Sequence, residues 1–409
     1  MNDSANNSNL PNAAAGNELA EIQKLLQMVQ NNVDLPPHLR EKALGMIYRL
    51  EKVIEYGSFS REFEPISEYI NWITQIPWNK TTNDNLEITN VKTELDKTHY
   101  GLENVKERVV EFIAMMNLKQ KNEAAVIQGE KDRVIANQTS AQAGQASAPV
   151  NSVNLSQEMS RLQGSSSHAP IICFVGVQGI GKTSIAKSIA GALGRKFVRI
   201  SLGAIGGVTE LRGRSKGEID AEPGQVIKAL IRTGVMNPLI LIDEVDKVSS
   251  ETGLRADVMA ALLEILDPEQ NSTFMDHFID YPVDLSGVIF IATANNLGGI
   301  SAALLDRLEI VRMSSYSDDE KLHIARDYLL PKVMQASGVL PGQISFQDAV
   351  WPLVIRPLGF DAGIRELERT ITNLVRKVAR KIVSGEGERF EISPENFREY
   401  IPEDIGVYS

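Results

Sequence analysis

"IICFVGVQGIGKTSIAKSIAGALG", Ile171–Gly194, is the stretch on which the reading of the fold turns. Its opening run is apolar at every position, as in a strand covered on both faces. It breaks at a glycine-rich turn and continues as a helix, "TSIAKSIAGALG". The turn, "GVQGIGKTS" from Gly176 to Ser184, fits G-x-x-x-x-G-K-[ST]. Its glycines let successive backbone N–H groups face inward and wrap phosphates. Lys182 adds a point charge for the β- and γ-phosphates, and Thr183 offers a hydroxyl to Mg²⁺. The helix directs its positive end at the same place. The candidate nucleotide-binding set is therefore Gly176, Gln178, Gly179, Ile180, Gly181, Lys182, Thr183 and Ser184.

Downstream, "KFVRISL", "PLILIDEVD", "VIFIATANN" and "EIVRMSS" read as strands, and "VIKALIRTG" and "ADVMAALLEILDP" as helices. Buried strands alternating with helices predict a three-layer α/β domain around a parallel sheet. From Ser317 the pattern is helical to about Ser384, a small helical domain. Upstream, Leu19, Ile22, Leu25, Leu26 and Val29 recur at helical spacing, and a second amphipathic helix starts after Pro36 and Pro37. Local packing within the chain is the leading expectation for these helices, a short coiled coil with another subunit the alternative. Trp72 and Trp78 read as packing residues.

Composition narrows the classes. A formal net charge of −11 over 409 residues argues against nucleic acid and anionic membrane as partners. The single cysteine, Cys173, permits no disulfide within the chain and reads as a small buried hydrophobe. No apolar run reaches membrane-spanning length, and the polar N-terminus resembles no targeting signal, so a cytoplasmic location is expected.

"LILIDEVD" ends an apolar strand in paired acids. Asp243 would hold Mg²⁺ and Glu244 would orient the attacking water, making Mg-ATP hydrolysis the leading chemistry. Asn295 ends another buried strand and could hold that water. Arg307 in "LLDRLE" and Arg365 in "AGIRELER", taken alone, are surface charges.

"HYGLENVKERVVEFIA", "GVQGIGKTS", "LILIDEVDKV", "ALLEILDPEQN", "VIFIATANN", "LLDRLEIV" and "GIRELERTI" together resemble the AAA+ module of the Lon family of ATP-dependent proteases. The likeness covers most of residues 60–400. It implies a hexameric ring with ATP at subunit boundaries, drawing protein substrates through a central pore. It also implies roles for single residues. Asn295 is similar to sensor 1, Arg307 to the arginine finger that reaches a neighbouring site, and Arg365 to sensor 2. Tyr100 and Gly101 match the segment beside the adenine.

Composition and pattern, with the likeness, divide the chain into a disordered tail (1–17), a helical N-terminal segment (18–98), the AAA+ domain (99–316, with a mobile insertion at about 123–168) and a helical lid (317–409). The insertion exceeds the family's short link, and Val177 and Gln178 stand where the family has Pro-Pro. The family's serine–lysine protease domain would follow Ser409, and most of its N-terminal substrate domain would precede the first helices. No peptidase activity is therefore expected from these residues, and a separate protease is a candidate partner.

The stretch "RSKGEIDAEPGQ", Arg214–Gln225, falls where the family carries an aromatic–aliphatic pore-loop pair. Glu218 occupies the aromatic position, Ile219 keeps the aliphatic one, and Asp220 and Glu222 add charge. An aromatic wedges against any polypeptide through apolar area, whereas exposed carboxylates attract only basic segments, and weakly. The leading expectation is a remodelling motor with an altered grip. The alternative is an ATP-dependent switch or assembly scaffold that binds a protein partner without threading it. A clamp-loader-like action on DNA rests only on Arg376, Lys377, Arg380 and Lys381 of "NLVRKVARKIV", which read more simply as a solvated helix face.

Overall fold

The computed structural model describes residues 10–55, 63–142, 171–218, 220–248, 252–356 and 363–401. Its N-terminal helices, α1 (Leu10–Asn31), α2 (Pro37–Glu55) and α3 (Phe63–Gln75), pack on one another. Ile22, Leu25 and Val29 of α1 and Leu39, Ala43, Ile47 and Leu50 of α2 are buried, as their spacing requires. Pro37 sits at the first position of α2, where its missing N–H costs nothing. α1 begins at Leu10, which corrects the reading of 10–17 as tail. Ala13, Ala14 and Ala15, the strongest helix formers, carry the helix back through that polar stretch.

α4 (Ile88–Thr98) and α5 (Glu103–Gln142) follow. Helix α5 runs on through 123–142, so that part of the expected insertion is helical; residues 143–168 lie outside the described residues.

Then come β1 (Ile171–Val175), α6 (Lys182–Leu193), β2 (Phe197–Ser201), α7 (Val208–Arg212), α8 (Gln225–Thr233), β3 (Leu239–Asp243), α9 (Thr252–Leu266), β4 (Phe274–Met275), β5 (Pro282–Val283), β6 (Ile289–Ala294), α10 (Ala302–Leu305) and β7 (Leu308–Arg312). The sheet is parallel, in the order β2-β3-β6-β1-β7. β1 pairs with β7 from Ile171↔Leu308 to Val175↔Arg312, and β2 with β3 from Phe197↔Leu239 to Ser201↔Asp243. Every residue of β1, β3 and β6 is buried, Cys173 included. β4 and β5 form a separate antiparallel ribbon.

The C-terminal domain comprises α11 (Asp318–His323), a π-helical turn (Ile324–Leu329), α12 (Leu330–Ser337), β8 (Ile344–Phe346), α13 (Trp351–Ile355), α14 (Arg365–Val383), β9 (Phe390–Ile392) and α15 (Phe397–Tyr400). The expected all-helical domain thus contains a parallel strand pair, β8–β9, too short to show as alternation in the sequence. α14 buries Leu367, Ile371, Leu374, Val375 and Val378. On its basic face Lys377 donates to the carbonyls of Glu399 and Ile401, and Lys381 pairs with Glu399. These two charges are engaged by the chain's own C-terminal helix, which removes much of the case for a DNA surface.

The chain divides into two compact units. One comprises 1–83, 194–291 and 300–307; the other comprises 84–193, 292–299 and 308–409. The phosphate-loop sequence belongs to the second and the paired acids to the first.

Candidate functional site

In the second unit the turn after β1 has the backbone that its glycines foretell. Gly179 and Gly181 have φ of 84° and 93°, in the region that favours glycine. A Cβ on Gly176 would lie 2.2 Å from Ile180 Cδ1 and 2.6 Å from the Met313 carbonyl oxygen, so the loop closes only with glycine there. Lys182, at the first turn of α6, is buried and donates to the carbonyls of Gly176 (2.5 Å) and Val177 (3.0 Å) and to Asn295 Oδ1 (3.0 Å). Asn295 reaches it because β6 neighbours β1 and Gly176 N–H bonds the carbonyl of Ala294. Thr183 occupies the second helical position, half-buried, while Gln178 and Ser184 are exposed. A glycine cradle, a helix N-terminus and a buried ammonium match the donor set that a triphosphate requires.

The lid closes on this loop without a side chain between them. A Cβ on Gly363 would lie 2.6 Å from the Gln178 carbonyl oxygen, and Ile364 N–H donates to the Gly179 carbonyl (3.0 Å). Arg365 opens α14, and its Cγ lies 3.2 Å from where a Cβ on Gly179 would stand. Its guanidinium-bearing side chain remains exposed. Tyr316, absent from the sequence-based candidates, donates its buried hydroxyl to the Ile180 carbonyl (3.0 Å). Burial, then Glu320, pushes its phenol up to about 12, so it stays a donor.

Tyr100 and Gly101 border a cavity of about 400 Å³ that His99, Lys106, Glu320 and Tyr328 also line. Tyr100 stacks on His323 with ring centroids 4.8 Å apart. Gly101 has φ 65°, and a Cβ there would lie 2.8 Å from Glu320 Oε1, whose other oxygen completes the capping box of α11 with Ser317. Burial, then the Lys106 charge, lowers His99 to about 4, so the ring is neutral near pH 7.

In the first unit β3 ends at buried Asp243, whose Oδ2 lies 2.6 Å from Arg199 Nε of β2. Glu244 leaves the strand with φ 61°, and its Oε1 lies 2.7 Å from Lys247 Nζ. The left-handed turn swings the second acid out of the strand's alternation. Each acid is paired with a cation of its own unit, Arg199 on Asp243 and Lys247 on Glu244, which a divalent ion or a water would have to displace or share. Arg307, half-exposed, pairs with buried Asp267 at 3.3 Å. That contact joins "LLEILDPEQN" to "LLDRLE", the two signatures most specific in the sequence; Asp267 itself was not among the sequence-based candidates.

The acidic loop lies between α7 and α8 in the same unit. Its stems are pinned by Asp276, fully buried, which accepts from Gly224 N–H (2.7 Å), Phe278 N–H (2.9 Å) and Ile279 N–H (3.0 Å). Burial raises its carboxyl, and those three donors oppose the rise. Arg214 N–H closes the loop on the Glu222 carbonyl (3.0 Å). Glu218 is exposed, and its Oε1 accepts from the Ser215 N–H at 3.3 Å. Ile219 lies outside the described residues.

The model for the ATPase family associated with various cellular activities (AAA) matches residues 172–316, and that for the Lon protease AAA+ ATPase lid domain matches 335–390. The chain is 37% identical to Lon protease 1 of Bacillus subtilis (strain 168) over 388 residues, 95% of this chain and 44% of that one. It is 39% identical to the Lon protease of Endomicrobium trichonymphae over 368 residues, 90% of this chain and 40% of that one. It is 38% identical to Lon protease 2 of Thermus thermophilus, covering 94% of this chain and 42% of that one. The chain therefore spans less than half the length of these relatives.

Proposed function

We propose, for a chain that carries an AAA+ ATPase module with a Lon-type lid, that it hydrolyses Mg-ATP in a homo-oligomeric ring, a hexamer by family likeness, to remodel or unfold protein substrates. One observation carries this reading. Lys182 is buried with its ammonium on the Asn295 amide oxygen and on the carbonyls of its own loop, which the lid segment Gly363–Arg365 meets at Gln178 and Gly179.

Mg-ATP supplies a transferable phosphoryl group and a divalent cation that spreads its charge. The chain supplies position and electrostatics. Gly176–Ser184 would present backbone N–H groups to phosphate oxygens, with Lys182 turning its ammonium toward them and Thr183 and Asp243 holding the cation. Glu244 would accept a proton of the attacking water, with Asn295 orienting it. Arg365 would reach phosphate from the lid, and Arg307 would serve a neighbouring subunit. Tyr100 and Gly101 would flank the base.

Among the described residues no helix is long and apolar enough to cross a membrane. We place the protein in the cytoplasm, acting on a protein partner rather than on a membrane or nucleic acid. No peptidase activity is assigned to these residues, and a separate protease could take the remodelled chain.

A second reading, an ATP-dependent switch or scaffold, draws on Glu218. Its exposed carboxylate hydrogen-bonds its own loop where an aromatic grip would otherwise stand. The test measures ATP turnover by the purified chain alone, with an unstructured basic protein and with an acidic one, beside its mass in solution with ATP. Stimulation by the basic protein in a hexamer supports the motor; turnover that ignores both supports the switch. Glu244→Gln should retain nucleotide and lower turnover by at least about 100-fold. Turnover that persists in that variant removes Glu244 from its role.

A further inference from the structure

The acidic loop lacks an aromatic at its tip, yet two aromatic rings stand beside its stems. Both come from α3. Tyr69 and Trp72 are three positions apart and therefore on one side of that helix. Lys216, two residues before Glu218, places its ammonium 3.7 Å from the Tyr69 ring centroid. Glu222, on the other stem, pairs with Lys228 at 2.6 Å, and Lys228 lies 6.0 Å from the Trp72 ring centroid. The first clamp is the tighter one, since 6.0 Å is the outer range of a cation–ring attraction.

The first clamp is also built into its surroundings. Tyr69 is 2% exposed and donates its hydroxyl to the Ile279 carbonyl (3.0 Å). Lys216 lies 3.7 Å from Asp280, which Lys42 of α2 holds at 2.7 Å. Asp280 itself sits at φ 51°, next to the segment that Asp276 pins to the loop's stem. The groups facing Lys216 are thus Tyr69 of α3, Lys42 of α2 and Asp280. Burial, then Lys42, brings the Lys216 ammonium down to about 8, against the pull of Asp280.

We infer that α3 is a positioning element for the acidic loop, with Lys216 on Tyr69 as the main clamp and Lys228 on Trp72 as the second. The clamps fix where the Glu218 carboxylate stands. The functional consequence rests on the remodelling reading above; the mechanical one does not. Removing the clamps should free the tip while leaving nucleotide chemistry unchanged, since neither lysine belongs to the candidate nucleotide site.

The experiment uses the whole chain with a nitroxide at Glu218→Cys, in a Cys173→Ala background. Lys216→Met with Lys228→Met keeps both apolar stems and removes both charges. Thermal melting and circular dichroism verify folding. The spectrum should sharpen, with a correlation time about threefold shorter as the tip joins the fast loop motions. In the unlabelled chain, with Glu218 and Cys173 in place, the same two lysine substitutions should raise the apparent KM for an unstructured basic protein about fivefold, with basal turnover within about twofold. An unchanged spectrum in the folded double variant overturns the inference. If that variant does not fold, the ring carries the test instead. Tyr69→Phe and Lys216→Arg should keep the immobile spectrum and Tyr69→Leu should lose it; equal loosening by Tyr69→Phe overturns the clamp. A parent chain that ignores substrate while the clamp variant still loosens retains the inference and defeats the remodelling reading.

Discussion

The phosphate loop and the acidic loop are both short, glycine-marked turns that lead into helices, but they are held by opposite means. The first is fixed largely by its own backbone: Gly179 and Gly181 in left-handed conformation, and Lys182 bonded to two carbonyls within the same turn. The second is fixed at its stems mainly by side chains from distant parts of the chain, Asp276 and Tyr69, with Lys228 of the helix that follows as a nearer support, while Glu218 stands in solvent. A turn that must present N–H groups to a ligand needs one geometry, and local sequence can encode it. A turn that must stand at a given height needs a scaffold, and that scaffold is assembled from elsewhere.

The largest expected effect tests the first half of that contrast. Lys182→Ala should reduce ATP turnover by at least about 100-fold, in a chain that still folds although three acceptors lose their donor. Phosphate release and binding of a fluorescent nucleotide read the two properties separately, and turnover within tenfold of the parent would show that the loop is no phosphate cradle.

Asp276→Ala should be the most damaging change near the acidic loop. It strands three backbone donors away from water and should cost about 3 kcal/mol of stability. Urea unfolding measures it; a loss under about 1 kcal/mol would mean that the stems stand without their scaffold and that the contrast is wrong. Tyr316→Phe is the gentlest probe. It removes one hydrogen bond to the Ile180 carbonyl, about 1 kcal/mol. If the phosphate loop is held mainly by itself, nucleotide affinity should fall only a few-fold, as a titration with the same fluorescent nucleotide would record.

The same contrast explains what could be read from the sequence. Gly176–Ser184, the terminal acids of β3 and the buried strands announce themselves through local pattern, because backbone geometry and burial act over a few residues. Tyr316, Gly363, Asp267 and Asp276 do not. Each does its work on a partner far along the chain, as Asp276 does on Gly224, 52 positions away. Arg365 was found through family likeness, and the seat that Gly363 makes for it beneath the phosphate loop emerges only from the fold. Helix α5 passes Lys121 because helix propensity persists in a polar, alanine-containing stretch even where apolar periodicity fades. The β8–β9 pair was missed for the converse reason. Three residues per strand leave too little alternation to recognise.

The pairing of Arg307 with Asp267 has a kinetic meaning. A free arginine side chain carries about 2 kcal/mol of rotamer entropy, which a partner must normally quench at the moment of contact. Asp267, itself buried and hydrogen-bonded by Glu269 N–H and the Gln270 amide, has already selected among those rotamers while the guanidinium remains half in water. Part of the ordering is done when the chain folds, so any encounter that uses Arg307 begins with its reach and direction already narrowed.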